Sequence, residues 1–228
     1  MKTAILVDGG FYRRRADMLF GKKTSSERIE ELINYCKKHI SSDDIDLNDE
    51  RLYRIFYYDC PPMDKKVYHP FLKTNINFKE TDLYIWMSEF IDQLKKQRKI
   101  AVRLGKLADS QAHYSLRPKA VRNLCDGRTQ FSELTEKDFC IDVDQKGVDM
   151  KIGIDIASLA YKKQVDQIVL ISGDSDFVPA AKLARREGID FILDSMQANV
   201  KPELHEHIDG LITYAPNFIA KEVTGTVN

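Results

Sequence analysis

The chain has 228 residues, 43% hydrophobic and 31% charged, a length and composition that suit one globular α/β domain carrying insertions, because domains run to about 100–200 residues. Its 35 basic and 35 acidic side chains cancel, which removes the simplest argument for a nucleic-acid partner, a strongly basic pI. No apolar run is long enough to span a bilayer, and the first ten residues pass from one lysine straight into "AILVD" without a signal peptide's apolar segment, so no membrane partner and a cytoplasmic location are expected.

Taken in chain order, "TAILVD" (3–8) reads as a buried strand ending in Asp8. "SSERIEELINYCKKHI" (25–40) reads as an amphipathic helix with a serine N-cap and with Ile29, Leu32, Ile33 and Cys36 on one face. "RLYRIFYYDC" (51–60) is rich in aromatic and branched residues and breaks at Pro61-Pro62, which predicts a strand followed by a loop. "ETDLYIWMSEFIDQLKKQ" (80–97) has helical periodicity, and "KIAVRLGKL" (99–107) alternates as a strand does. From Ala108 to about Lys146 the pattern weakens, and an insertion or lid is expected there.

The pattern then sharpens again. "GVDMKIGIDIASLAYKK" (147–163) places Val148, Ile152, Ile156 and Leu159 on one helical stripe. "QIVLIS" (167–172) is a short apolar strand, and "DFVPAAKLARREG" (176–188) is a helix closed by Gly188. "IDFILD" (189–194) and "LITYA" (211–215) supply two further strands, the last within a C-terminal extension that begins at about residue 200. Strands alternating with helices predict a mainly parallel sheet covered on both faces. In such sheets ligands bind beyond the carboxyl ends of the strands, near a topological switch point.

The four cysteines, Cys36, Cys60, Cys125 and Cys140, form no C-x-x-C pair, so they are expected to be reduced and mostly structural. The histidines of "HEH" (205–207) have no cysteine or third histidine near them in sequence and read as surface residues. Charge is sorted along the weakly patterned segment. Residues 112–130 carry Arg117, Lys119, Arg122 and Arg128 against Asp126, whereas 131–144 carry five acids against Lys137. The basic stretch, with His113 and Tyr114, can either clamp a nucleic-acid backbone and stack a base or dock onto the acidic stretch that follows.

Asp8 follows the first strand, Asp174 and Asp176 follow the strand at 167–172, and Asp149 opens the helix before it. Taken singly, capping explains Asp174 and Asp176, and a helix N-terminus explains Asp149. Taken together on one sheet edge, like charges about 5 Å apart repel by roughly 3 kcal/mol per pair at an effective dielectric near 20. Such a group needs a cation or raised pKa values. Hard carboxylate oxygens without nearby sulfur or histidine suit Mg²⁺ or Mn²⁺, which keep water positions open for a substrate phosphate. Phosphodiester hydrolysis is the chemistry such an ion favours.

Several further residues are expected to support that site. Asp155 falls on the apolar stripe of its helix and needs a partner. Either it bonds a backbone amide or the Ser172 hydroxyl and braces the site, or it lies at the stripe's edge. Gly9 and Gly10 allow a backbone to approach a bulky anion, and Arg13 and Arg14 open the next helix with a geometry suited to phosphate. Lys146 and Lys151 flank Asp149; they either steer phosphate or stand solvated.

"AILVDGG", "QKGVDMKIGIDIASLA" and "VLISGDSDFVPAAKLARREG" together resemble the NYN family, the LabA-like branch of the PIN-like nuclease superfamily, from about residue 3 to residue 195. The resemblance implies a single domain over 1–228 with a PIN-like three-layer α/β/α sandwich. It also implies metal-dependent ribonuclease activity, with Asp8, Asp149, Asp174 and Asp176 as the catalytic and metal-site acids, Mg²⁺ or Mn²⁺ as cofactor and RNA as partner. A homo-oligomer is left open. Many NYN members carry asparagine three positions after the first aspartate, where Phe11 stands here. That departure keeps a second expectation open, an RNA-binding or regulatory protein of weak or absent catalysis. A haloacid-dehalogenase-like phosphatase is disfavoured, because Gly10 and Val178 occupy two positions where such enzymes need aspartate.

Overall fold

The structure is a computed structural model and describes residues 1–41 and 46–216. Its centre is β1 (Thr3–Asp8), whose first five residues are almost wholly buried. α1 (Gly9–Phe20) and α2 (Ser25–Lys38) lead to β2 (Leu52–Asp59). A small hairpin, β3 (Lys66–His69) with β4 (Thr74–Asn77), precedes α3 (Asp82–Leu94) and β5 (Ile100–Leu104). The segment between β5 and the next long helix holds β6 (Lys106–Leu107), β7 (His113–Leu116), α4 (Pro118–Cys125), β8 (Phe139–Asp142) and β9 (Gln145–Lys146). α5 (Val148–Tyr161), β10 (Gln167–Ile171), α6 (Val178–Arg186), β11 (Asp190–Asp194), α7 (Pro202–His205) and β12 (Gly210–Leu211) complete the described elements.

The main sheet has six strands in the order β12-β11-β10-β1-β2-β5, and every pairing in it is parallel. Strand periodicity sends alternate residues to opposite faces. Ala4 and Leu6 therefore pack with α5 and α6 through Ile152, Ile156, Leu159 and Ala181. Ile5 and Val7 pack on the other face with α1, α2 and α3 through Tyr12, Leu32, Phe90 and Ile91. This is the expected α/β/α sandwich, with a sheet that is wholly rather than mainly parallel. The chain builds outward from β1 through β2 to β5 and then returns to lay β10 on β1's other side, so the switch point lies between the carboxyl ends of β1 and β10.

Two local expectations change, and an open one is decided. The cap of α2 is Thr24, whose hydroxyl accepts from the Glu27 amide while the Glu27 carboxylate accepts from the Thr24 amide. Ser25, the expected cap, is instead the first helical residue and is buried. The last strand is shorter than "LITYA" and covers only Gly210–Leu211. The expected extension from residue 200 is described as far as 216, and its remainder lies outside the described residues. The segment 108–146, expected as an insertion or lid, has an antiparallel ladder of its own. β7 pairs with β8 from His113–Asp142 to Leu116–Phe139, so the basic stretch docks onto the acidic one.

Gly9 is fixed by packing at the β1–α1 junction. A methyl group added there would lie 2.5 Å from Tyr57 Cζ and 2.6 Å from the Tyr58 carbonyl oxygen, and the backbone cannot yield as a flexible side chain does. The expectation that Gly9 opens room for an anion is corrected, since Tyr57 fills that space. Gly9→Ala is expected to destabilise the protein by about 1–3 kcal/mol, the usual range for overpacking, as measured by urea unfolding. An unchanged midpoint would contradict this packing.

Candidate active site

Parallel pairing of Val7 with Ile171 leaves Asp8 and Ser172 as the next residues of two adjacent strands. The Ser172 hydroxyl donates to Asp8 Oδ2 at 3.3 Å, and the Phe11 amide donates to Asp8 Oδ1 at 3.0 Å. Asp8 is thereby the N-cap of α1 and is also tied to β10. Burial raises its carboxyl above the usual range, opposed by the Phe11 amide; the Asp149 charge raises it further, while Ser172 and Arg14 lower it. Ser172, fully buried, also accepts from the Asp174 amide at 3.3 Å.

Asp174 caps the turn that follows. Its Oδ1 accepts from the Asp176 amide at 3.0 Å, so the capping role falls to Asp174 and not to Asp176. Asp149, in the first turn of α5, has its carboxyl raised by its partial burial and then by the charges of Asp174 and Asp176. Asp149, Asp174 and Asp176 are all exposed. Among the described residues, none of these three or Asp8 has a salt-bridge partner.

Two other acids lie on the same edge, and both are held by several hydrogen-bond partners. Asp59 ends β2, is 1% exposed, and accepts from Arg13 Nε and Nη2 at 3.0 Å each, from the Tyr57 hydroxyl at 3.1 Å and from the Cys60 amide at 2.8 Å. Asp194 ends β11, is fully buried, and is held by the Tyr35 hydroxyl at 2.5 Å, the Met196 amide at 2.7 Å and His39 Nε2 at 2.9 Å. Both escape the sequence reading although each ends a strand as Asp8 does, and that shared position is the signal that could have found them.

A family model described as the NYN domain matches residues 71–215, nearly two thirds of the chain. The chain belongs to the NYN domain family. The NYN match contains Asp149, Asp174 and Asp176 and begins beyond Asp8. The wholly parallel sheet flanked by helices is consistent with a PIN-like sandwich, a nuclease-type fold. Among solved structures, a protein of unknown function from Vibrio parahaemolyticus RIMD 2210633, VPA0982, is similar at 13% identity. The alignment covers 92% of this chain and 91% of that one, with a TM-score of 0.45. No curated protein matches the chain.

NYN and PIN-like nucleases generally use divalent metals. In this NYN domain, no group of three or more His, Cys, Asp or Glu among the described residues is drawn together tightly enough to hold a metal ion by itself. The donor chemistry nevertheless fits a hard ion. The oxygens are those of unpaired carboxylates beside one buried hydroxyl, and the mutual repulsion felt by Asp149 is what a cation relieves. Mg²⁺ in particular is usually held by one or two carboxylates with waters and substrate phosphate rather than by a protein cage.

Other expected site residues go elsewhere. Asp155 takes neither the Ser172 hydroxyl nor a backbone amide; it accepts from the Tyr58 hydroxyl at 2.8 Å and Arg103 Nε at 3.2 Å, and so braces α5 against β2 and β5. Arg13 is committed to Asp59 and is not free for a phosphate. Arg117 gives its Nε to the Lys137 carbonyl at 2.9 Å within the insert. Tyr114 packs its ring 4.1 Å from that of His69 and does not stand ready to stack a base. Arg14, Lys119, Arg122, Lys146 and Lys151 are exposed, and Arg14 also acts on Asp8 through its charge. A methyl group at Gly10 would meet nothing closer than Asp8 Oδ1 at 3.6 Å, so Gly10 keeps the open side of Asp8 clear.

Phe11 stands three positions after Asp8. Its ring lies over Gly173, where an added methyl would stand 2.7 Å from Phe11 Cε2, so a larger residue after Ser172 would require the Phe11 ring to shift. Removing Arg13 strands the Asp59 charge. Arg13→Ala is expected to lower unfolding free energy by about 3 kcal/mol, whereas Arg14→Ala changes it by less than about 0.5 kcal/mol. Equal effects of the two in chemical denaturation would contradict the assignment of Arg13 to Asp59.

Proposed function

We propose that this NYN domain, of the LabA-like branch, is a metal-dependent endoribonuclease whose site is the carboxyl edge of β1 and β10. The observation that carries the proposal is the contrast on that edge. Asp59 and Asp194 are each held by three or more hydrogen-bond partners, whereas, among the described residues, Asp8, Asp149, Asp174 and Asp176 have no cationic side chain bonded to them. A half-buried Asp8 beside three exposed carboxylates at a switch point is the kind of acidic group a cation-dependent site uses.

Asp8 and Asp174 would hold Mg²⁺ or Mn²⁺, with Asp149 facing them from α5 and Asp176 orienting the ion or a water. When bound, the ion supplies a more acidic water and stabilises charge on a transferring phosphate. The Phe11 amide and the Ser172 hydroxyl fix the Asp8 carboxylate in one orientation. Gly10 leaves its open side accessible to a phosphate. Arg14, Lys146 and Lys151 stand exposed to attract the RNA backbone, with Lys119 and Arg122 on the insert. The whole chain acts as one domain in which 108–146 is an insertion.

A second reading, an RNA-binding domain without turnover, is favoured by Phe11, which puts a hydrocarbon ring where many NYN members carry a polar side chain. Cleavage assays on single-stranded and structured RNA in Mg²⁺, Mn²⁺ and EDTA separate the two. Cleavage is expected with Mg²⁺ or Mn²⁺ and none in EDTA. Asp8→Asn and Asp174→Asn are each expected to reduce the rate more than about 100-fold with the fold intact by circular dichroism. Asp155→Asn is expected to keep the wild-type rate, because its side-chain hydrogen bonds among the described residues go to Tyr58 and Arg103. RNA bound but left whole with every ion would establish the second reading; neither binding nor cleavage would contradict both.

A further inference from the structure

A cavity of about 200 Å³ lies beside the carboxylates, at the end of β2. Its walls come from three separate parts of the chain. Met63 follows β2, Phe78, Leu83, Tyr84 and Met87 come from α3 and the turn before it, and Ile141 and Val143 come from the insert. The lining is mainly apolar. Its polar end is formed by Arg13, Asp59 and Gln145. Gln145 ties this end to the proposed site, since one point above Gly10 lies 3.6 Å from Asp8 Oδ1 and 4.0 Å from Gln145 Oε1.

We propose that this cavity is a nucleobase subsite, which receives one base of an RNA strand whose phosphate lies at the Asp8–Asp174 edge. The proposal rests on the ribonuclease reading for its substrate class, and on the cavity alone for its shape and chemistry. The space is smaller than the about 300–1,000 Å³ of pockets for drug-sized ligands. A base has two flat apolar faces and a rim of alternating donors and acceptors. Here the apolar walls of Met63, Met87 and Ile141 and the rings of Phe78 and Tyr84 suit the faces.

The Gln145 amide suits the rim. It offers a donor and an acceptor side by side, the arrangement that reads a base edge in two hydrogen bonds. Among the described residues neither the Gln145 amide nor the Tyr84 hydroxyl has a hydrogen-bond partner, so neither must break a protein contact to meet a ligand. Arg13 is held rigid by its two bonds to Asp59, so the polar end presents a fixed ion pair rather than a mobile charge. Leu83, 64% exposed, stands at the rim, where an inserted base would cover it. Because Ile141, Val143 and Gln145 belong to the insert, the 108–146 segment would act in substrate choice as part of this wall.

The test reads the cavity directly and needs no cleavage. Protein labelled with ¹³C at its methionine methyl groups is titrated with AMP, GMP, CMP and UMP without metal, and with ribose 5-phosphate and N-acetyltryptophanamide as controls. Met63 and Met87 line the cavity, whereas Met18 and Met150 are exposed elsewhere. The expected result is a saturable shift of the Met63 and Met87 signals with at least one nucleotide and none with ribose 5-phosphate. Gln145→Ala is expected to weaken that binding about 30-fold, the loss of two hydrogen bonds. Silence of both signals with every nucleotide would overturn the proposal, as would equal shifts with ribose 5-phosphate or shifts with the tryptophan derivative alone. Shifts without any RNA cleavage would sink the nuclease reading and leave the subsite standing; cleavage with silent methionines would do the reverse.

Discussion

The register of β1 against β10 is the constraint on which the site depends. With Val7 opposite Ile171, the chain leaves both strands at the same level, and a hydrogen bond between residues 164 apart in sequence joins Ser172 to Asp8. Slipping that pairing by one residue would turn Asp8 to the other face and bury a carboxylate among the apolar residues of α1 to α3. The same strand fixes the other flank. Asp8 pairs with Tyr58 of β2, which sets Asp59, its bound Arg13 and the cavity beyond them one residue further along the edge. Hydrophobic alternation in β1 thus determines both which face is core and where the charges stand.

Electrostatics then divides the acids of that edge into two classes. A buried carboxylate without partners is costly, and Asp59 and Asp194 meet this cost with four and three hydrogen-bond donors or ring nitrogens respectively. Asp8 receives only one amide and one hydroxyl, and its carboxyl is raised accordingly. Asp149 stands exposed and is raised in part by the neighbouring Asp174 and Asp176 charges. A structural role explains the first class completely. For the second it leaves mutual repulsion unrelieved, and a hard divalent ion relieves it with the oxygen donors present.

Much of this was legible in the sequence where a local rule decides the outcome. The alternation of "TAILVD", the stripe through Val148, Ile152, Ile156 and Leu159, and the turn residues after Ile171 each encode an element through periodicity or turn chemistry. Arg13 and Arg14 look identical in "GGFYRRR", yet one lies against Asp59 and the other faces solvent; their fates depend on a strand 46 residues away. Asp155 was recognised as needing a partner, but Tyr58 and Arg103 sit on β2 and β5, which periodicity cannot pair with α5. Gly9 followed the same logic, since a glycine after an acid resembles an anion loop until Tyr57 is placed beside it. Residue types announced the chemistry, and tertiary partners decided which copies of each type perform it.

The central claim is that the carboxyl edge of β1 and β10 holds a divalent ion. Anomalous diffraction from crystals of the protein soaked in Mn²⁺ tests it without reference to any substrate. The account predicts a peak within direct bonding distance of Asp8 or Asp174, lost in Asp8→Asn crystals. A peak confined to another part of the surface, or no peak at saturating Mn²⁺, would contradict it.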